Sequence, residues 1–158
     1  GLEVYRDIDS NFDRISQTAK AMHKRVGVIM IDLDHFKSVN DTHGHLTGDA
    51  ILKDLCARIM KSVRKDELLA RYGGEEFVIV LPGASRRNAA KKGKLICKTV
   101  HKTRFTFDPD DRQPPLSLTV SIGATGYKKG DTAASVLARA DQVLYKAKEA
   151  GKNGVMTS

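Results

Sequence analysis

The run Val26-Gly-Val-Ile-Met-Ile-Asp-Leu33 constrains the fold more than any other stretch of this 158-residue chain. It is rich in β-branched residues, apolar at odd and even positions alike, and follows a charged residue, Arg25. Such a run reads as a strand buried on both faces, because a strand with one wet face would alternate and a core helix would need more residues. The stretch Val26 to Ile31 is broken by Gly27 and is far too short to cross a bilayer, and no charged-then-apolar leader opens the chain. The strand closes on Asp32 and Asp34. Acids at the end of a buried strand point to a site.

The neighbouring segments supply partners for that strand. Phe12, Ile15, Ala19 and Met22 recur at helical spacing after Ser10, which predicts an opening helix over 11–24. Ile51, Leu52, Leu55, Ile59 and Val63 mark one face of a helix that follows Gly48-Asp49, with Asp49 placed to cap its positive end. Two strand-like runs, 68–72 and 77–81, are divided by Gly73-Gly74-Glu75-Glu76, where the glycines suit the positive φ of a tight hairpin turn. After Pro82-Gly83 come a basic helix over 85–101, a hairpin-like pair over 103–107 and 116–124, and a last helix over 132–149 that stops at Gly151. The order is βααββαββα with an extra N-terminal helix. It predicts one α/β domain of the α+β kind over 1–158, with a mostly antiparallel, ferredoxin-like or palm-type central sheet flanked by helices.

Composition narrows the function classes. The apolar share of 41% and charged share of 29% are those of an ordinary globular chain. The net charge is +8, and Ala84 to Phe107 holds eight Lys or Arg and no carboxylate. Such a face attracts nucleic acid, anionic lipid or a nucleotide polyphosphate, or is simply a solvated helix surface. Aromatic residues that would stack on bases are missing between the charges, so no nucleic-acid partner is expected, nor membrane contact by this segment. Cys56 and Cys97 each sit in an apolar helical segment with no second Cys or His at ligand spacing, which predicts two reduced core thiols in a reducing compartment.

The acids carry the chemistry. Asp32 and Asp34 at a strand end and Glu75 and Glu76 on a hairpin turn are not explained by core packing, and they converge if the two strands are neighbours. Crowded carboxylates raise one another's pKa unless a cation sits between them, so an oxygen-ligand site for Mg²⁺ or Mn²⁺ is expected, with up to two ions per site. Taken singly, Asp34 as a turn cap and Glu75 and Glu76 as exposed hairpin residues would be enough to explain them.

The stretch Arg71-Tyr-Gly-Gly-Glu-Glu-Phe77 resembles the signature of the GGDEF family, the diguanylate cyclases, in its GGEEF form. In family order stand Asp32-Leu-Asp-His-Phe-Lys37, Asn40-Asp-Thr-His-Gly-His45, Gly48-Asp49, Thr119-Val-Ser-Ile-Gly123, Arg139-Ala-Asp141 and Tyr145-Lys-Ala-Lys148, so the resemblance covers about 26–154. It implies Asp32, Glu75 and the Leu33 carbonyl as metal ligands, Glu75 also as base for a 3′-hydroxyl, and Glu76 as a supporting acid. Lys37 would steady charge on the α-phosphate. Backbone N–H groups near His35 and Phe36 would hold phosphate oxygens, and Lys148 and Lys152 would grip the outer phosphates. Asn40 and Asp49 resemble the guanine readers, and a carboxylate suits the paired N1–H and N2–H₂ donors of guanine. The implied reaction joins two GTP into cyclic di-GMP, with two domains facing each other as a homodimer during turnover. The implied setting is the cytoplasm, with any N-terminal sensory or membrane part outside this segment.

Three departures from the family stand out. Val4 occupies the place of an expected Asn in the opening segment. The product-inhibition motif reads Arg64-Lys-Asp-Glu67, with Glu for Asp, so a cyclic di-GMP inhibitory site there is a candidate. Lys152 replaces Arg and loses the bidentate fork. His43 and His45 flank Gly44 in what reads as a loop, within the guanine pattern rather than a zinc site. The rival readings are a catalytically weak module that senses GTP or cyclic di-GMP, and a basic nucleic-acid-binding domain.

Overall fold

In a computed structural model the strand read from the sequence, β1 (Val26–Leu33), is the middle of a five-stranded sheet of order β2-β3-β1-β4-β5. The structure describes Gln17 and residues 25–102, 104–105 and 115–158, so the opening helix expected over 11–24 lies, Gln17 apart, outside the described residues. The remaining elements are α1 (Phe36–His43), α2 (His45–Met60), β2 (Leu68–Arg71), β3 (Glu76–Pro82), α3 (Arg86–Lys102), β4 (Val120–Gly126), α4 (Ala133–Glu149) and β5 (Gly154–Thr157). Strands β1 to β4 pair antiparallel, and β4 pairs with β5 in parallel.

Every residue of β1 is buried, and the two-residue period explains why. Ile29, Ile31 and Leu33 pack with Leu52 and Leu55 of α2 and Ile96 and Val100 of α3. Val26, Val28 and Met30 point the other way, onto Val136, Leu137, Ala140 and Leu144 of α4. Helices therefore cover both faces of the sheet. Each such aliphatic side chain stabilises the fold by roughly 1.5–3 kcal/mol. The backbone of α4 comes so close to β4 that a Cβ on Gly123 would lie 2.4 Å from the Ala140 carbonyl oxygen and from the Leu144 nitrogen. Among the described residues no helix is long and apolar enough to cross a membrane.

Several boundaries differ from the sequence reading. Helix α2 begins at His45, so Asp49 lies within it instead of capping it, and Val63 falls beyond its end while still packing on the core. His43 and His45 are the last residue of α1 and the first of α2, not loop residues; the chain turns between them at Gly44, whose φ is 88°. Gly73 and Gly74 do not adopt positive φ. The Tyr72 N–H donates to the Glu76 carbonyl at 2.8 Å, so the connection is wider than a two-residue hairpin and does not require left-handed residues. Of the expected pair over 103–107 and 116–124, the described residues form one bridge, Phe105 with Leu116, followed by β4 from Val120. The strand that completes the sheet is β5, after the last helix. Cys97 is buried, and burial pushes its thiol up to about 12, with Asp34 adding to the push, whereas Cys56 is half-buried.

Candidate active site

Alternation along β1 places Asp32 on the face that carries Val28 and Met30, beneath α4. In the antiparallel register its partner across the sheet is Glu76, the first residue of β3, and Glu75 precedes it in the turn. The turn is braced by Arg71, whose Nε donates to the carbonyls of Gly73 at 3.1 Å and Gly74 at 2.9 Å. The acid of the first strand and the acids of the double-glycine turn therefore meet at one end of adjacent strands.

Helix α4 closes the site from above. Lys148 places its Nζ 2.5 Å from Asp32 Oδ2. Asp32 Oδ1 is buried and has no hydrogen-bond partner among the described residues. Burial pushes the Asp32 carboxyl above its ordinary range, Lys148 opposes that shift, and Asp34 and Asp141 add to it. Burial likewise raises Glu75, with Asp32 adding to the effect and Lys148 opposing it. Glu76 is raised by burial and then by Asp141, Asp32 and Glu75. The site is a cluster of carboxylates with one ammonium and a deficit of positive charge.

These residues fit a hard divalent cation. Among the described residues no group of three or more His, Cys, Asp or Glu side chains is placed to hold a metal alone. Mg²⁺ asks for less, since it uses one or two carboxylates and fills its shell with water, carbonyl and phosphate oxygens. Asp32 with its open oxygen and Glu75 would supply the carboxylates of such a set, with the Leu33 carbonyl as the expected backbone ligand.

Asp34 has a different task from the one its sequence position suggests. It is 1% exposed. The hydroxyls of Thr119 and Ser121 donate to its two oxygens at 2.7 and 2.6 Å, and the Asn153 N–H donates at 3.0 Å. It is neither a turn cap nor an available ligand. It ties β1 to β4 and to the turn after α4, where Lys152 adopts a φ of 64°. Lys152 thus stands next to a residue anchored at the base of the site.

The expected guanine readers and phosphate-binding N–H groups lie on or beside α1 and α2. His35, at the N-cap of α1, has a φ of 60° and no side-chain cap, so the first-turn N–H groups at Phe36 and Lys37 start the helix without one. Phe36 is buried and Lys37 exposed. Asn40 packs against Gly48, the residue before Asp49: a Cβ on Gly48 would fall 1.9 Å from Asn40 Oδ1, an atom buried without a partner among the described residues. Asn40 Oδ1 is thus a second unsatisfied acceptor, and Asp49 is exposed.

Arg64 and Glu67 lie elsewhere. They line a groove of about 720 Å³ with Arg25, Asn88 and Lys92, at the Pro82 end of β3 and so across the sheet from Asp32. Glu67 accepts from the Arg64 N–H at 2.9 Å and pairs with Lys92.

Two contributions escaped the sequence reading. Asp141 was visible in the motif Arg139-Ala-Asp141, but the 3.6-residue period makes it an exposed helix residue; only the packing of α4 brings its charge to Asp32 and Glu76. Ser121 in β4 and Thr119 just before it are polar residues beside an apolar run, and their partner was hidden by sequence distance.

A family model described as "Diguanylate cyclase, GGDEF domain" matches residues 2–154. The uncharacterized protein YhcK of Bacillus subtilis is 40% identical over 143 residues, which is 90% of this chain; the chain spans 39% of that relative's length. The crystal structure of the GGDEF domain of DgcB from Caulobacter crescentus in complex with c-di-GMP is similar with a TM-score of 0.88 and 32% identity, over 94% of this chain and 86% of that one. The active GGEEF domain of a diguanylate cyclase from Vibrio cholerae has a TM-score of 0.84 and 27% identity, over 99% and 97% of the two chains.

Proposed function

The chain belongs to the GGDEF family of diguanylate cyclase domains, and from that membership we propose that it condenses two GTP into cyclic di-GMP and two pyrophosphate. The observation that carries this reading is the meeting of Asp32, Glu75 and Glu76 at one sheet end, with a buried Asp32 oxygen left open. A structural acid cluster would be satisfied internally, as Asp34 is. An acid cluster short of cations is built to receive one together with a polyphosphate.

In this reading Asp32, Glu75 and the Leu33 carbonyl hold the divalent ion, Mg²⁺ or Mn²⁺, and Glu76 adds negative charge behind it. A bound ion there supplies neutralisation of phosphate charge and acidification of the 3′-hydroxyl. Glu75 accepts the 3′-hydroxyl proton. The 3′-oxygen forms a bond to the α-phosphorus of the opposite GTP while the bond to the β-phosphate oxygen breaks. Lys37 steadies charge at the α-phosphate, N–H groups at His35 and Phe36 hold phosphate oxygens, and Lys148 and Lys152 take the charge of the leaving pyrophosphate. Asn40 and Asp49 read guanine, the carboxylate accepting from N1–H and N2–H₂.

Each domain holds one GTP and the product has two equivalent phosphodiesters, so two copies face each other around a two-fold axis. The substrate places the domain in the cytoplasm. The groove at Arg64 and Glu67 is the candidate site for cyclic di-GMP as inhibitor; equal binding of cyclic di-GMP by the parent and Arg64→Ala would remove it.

The test is to incubate the protein with GTP and Mg²⁺ and quantify both products over a dilution series. The expected result is two pyrophosphate per cyclic di-GMP, specific activity that falls on dilution, and a loss of at least about 100-fold in Glu75→Ala. Equal activity in Glu75→Ala and the parent would refute the assignment.

A further inference from the structure

Three buried or half-buried acids of this fold show what a structural carboxylate looks like here and which one departs from it. Asp34 has both oxygens engaged by Thr119, Ser121 and the Asn153 N–H. Asp131 has both engaged by Arg139, at 3.1 Å to Oδ1 and 2.5 Å to Oδ2. Asp32 has one oxygen on Lys148 and the other on nothing among the described residues. Its ion pair is half made.

We infer that Lys148 is a displaceable counter-ion for Asp32, which makes a divalent cation and a nucleoside triphosphate depend on each other for binding. The inference rests on the cyclase reading and adds to it a residue that sets the order of assembly. Lysine suits the task, because its ammonium is a point charge on a flexible stem and makes no rigid fork with the carboxylate. The Lys148 side chain is 26% exposed against 8% for Asp32, so the cation is the partner that has somewhere to go. It projects from the last turn of α4. Asp34, Glu75, Glu76 and Asp141 crowd the carboxylate with negative charge, so the pair cannot open without another cation taking its place. A divalent ion arriving alone must displace the ammonium or tolerate it a few ångströms away. A triphosphate arriving with the ion gives the ammonium a new anion, and the cost disappears. By reciprocity the ion tightens the nucleotide by the same factor that the nucleotide tightens the ion.

The test measures Mn²⁺ binding by the electron paramagnetic resonance of free Mn²⁺, with and without 3′-deoxy-GTP, which lacks the hydroxyl needed for condensation. Lys148→Met is expected to bind Mn²⁺ alone about tenfold more tightly than the parent, as loss of one charge-assisted competitor implies. The tightening of Mn²⁺ by the nucleotide should shrink by a similar factor. Lys148→Arg, which keeps the charge, should bind Mn²⁺ alone no more tightly than the parent. If Lys148→Met fails to melt cooperatively, Lys148→Gln takes its place with the same expectations. A parent that binds Mn²⁺ with the nucleotide, beside a neutral variant that binds Mn²⁺ alone no better, overturns the counter-ion role and leaves the cyclase reading standing. A parent that binds no Mn²⁺ even with the nucleotide overturns both.

Discussion

Gly48 lacks a side chain because Asn40 occupies the space one would fill. In Gly48→Ala the new Cβ would meet Asn40 Oδ1 at 1.9 Å and Phe36 Cζ at 3.2 Å, so the Asn40 amide must turn away. The account predicts that KM for GTP rises at least about tenfold while kcat changes less, since a lost base-reading contact is worth about 1–3 kcal/mol. Steady-state kinetics on the variant check it. Asp131 offers a test of stability instead. Its hydrogen bonds with Arg139 lower its pKa from 3.8 to about 2 in the folded state. A lowered carboxylate stabilises the fold above its unfolded pKa, and that stability is lost as pH falls from 3.8 through 2. Asp131→Asn should therefore cost about 2 kcal/mol near neutral pH, and urea melts of the two proteins should converge by about pH 2. At this scale the acids were legible wherever charge interrupts an apolar run, as at Asp32. Asp34 was not, because its partners lie 85, 87 and 119 residues away.

Elements were readable in proportion to how strongly their burial pattern repeats. Strand β1, apolar on both faces, and helix α4, with seven buried positions on one face, carry patterns that few other structures satisfy. Helix α1 buries only Phe36 and Val39, and β5 is four residues long and half exposed, so neither leaves a period to read. The double glycine suggested left-handed residues, but the wider turn lets Arg71 bind the Gly73 and Gly74 carbonyls instead. The contact of α4 with β4 depends on one absent methyl group. In Gly123→Ala the Cβ would collide with helix backbone at 2.4 Å, so α4 must shift and carry Lys148 with it. We predict a loss of about 3 kcal/mol or more in denaturant melts, as overpacking against backbone demands. A Gly123→Ala protein of unchanged stability would mean that α4 does not pack as described.

For the molecule as a whole, the sheet separates two sites. The acids collect at one end of β1 and β3, and the groove at Arg64 and Glu67 lies at the other end, roughly 20 Å away for strands of this length. The basic surface of α3 is a third feature; its Lys92 belongs to the groove through the pair with Glu67. In the proposed reading the acid end receives a nucleotide on one copy and the reacting hydroxyl of another. The three-layer plan followed from β1 being buried on both faces; the two-site plan needed the register of β1 with β3. In the proposed reading Asp32 and Glu75 share a divalent ion with a bound triphosphate. Anomalous diffraction from crystals grown with Mn²⁺ and 3′-deoxy-GTP measures that directly. The expected result is a Mn²⁺ peak about 2.1 Å from oxygens of both Asp32 and Glu75, with the triphosphate completing the shell. A triphosphate bound elsewhere, or bound here with Mn²⁺ on neither carboxylate, would contradict it.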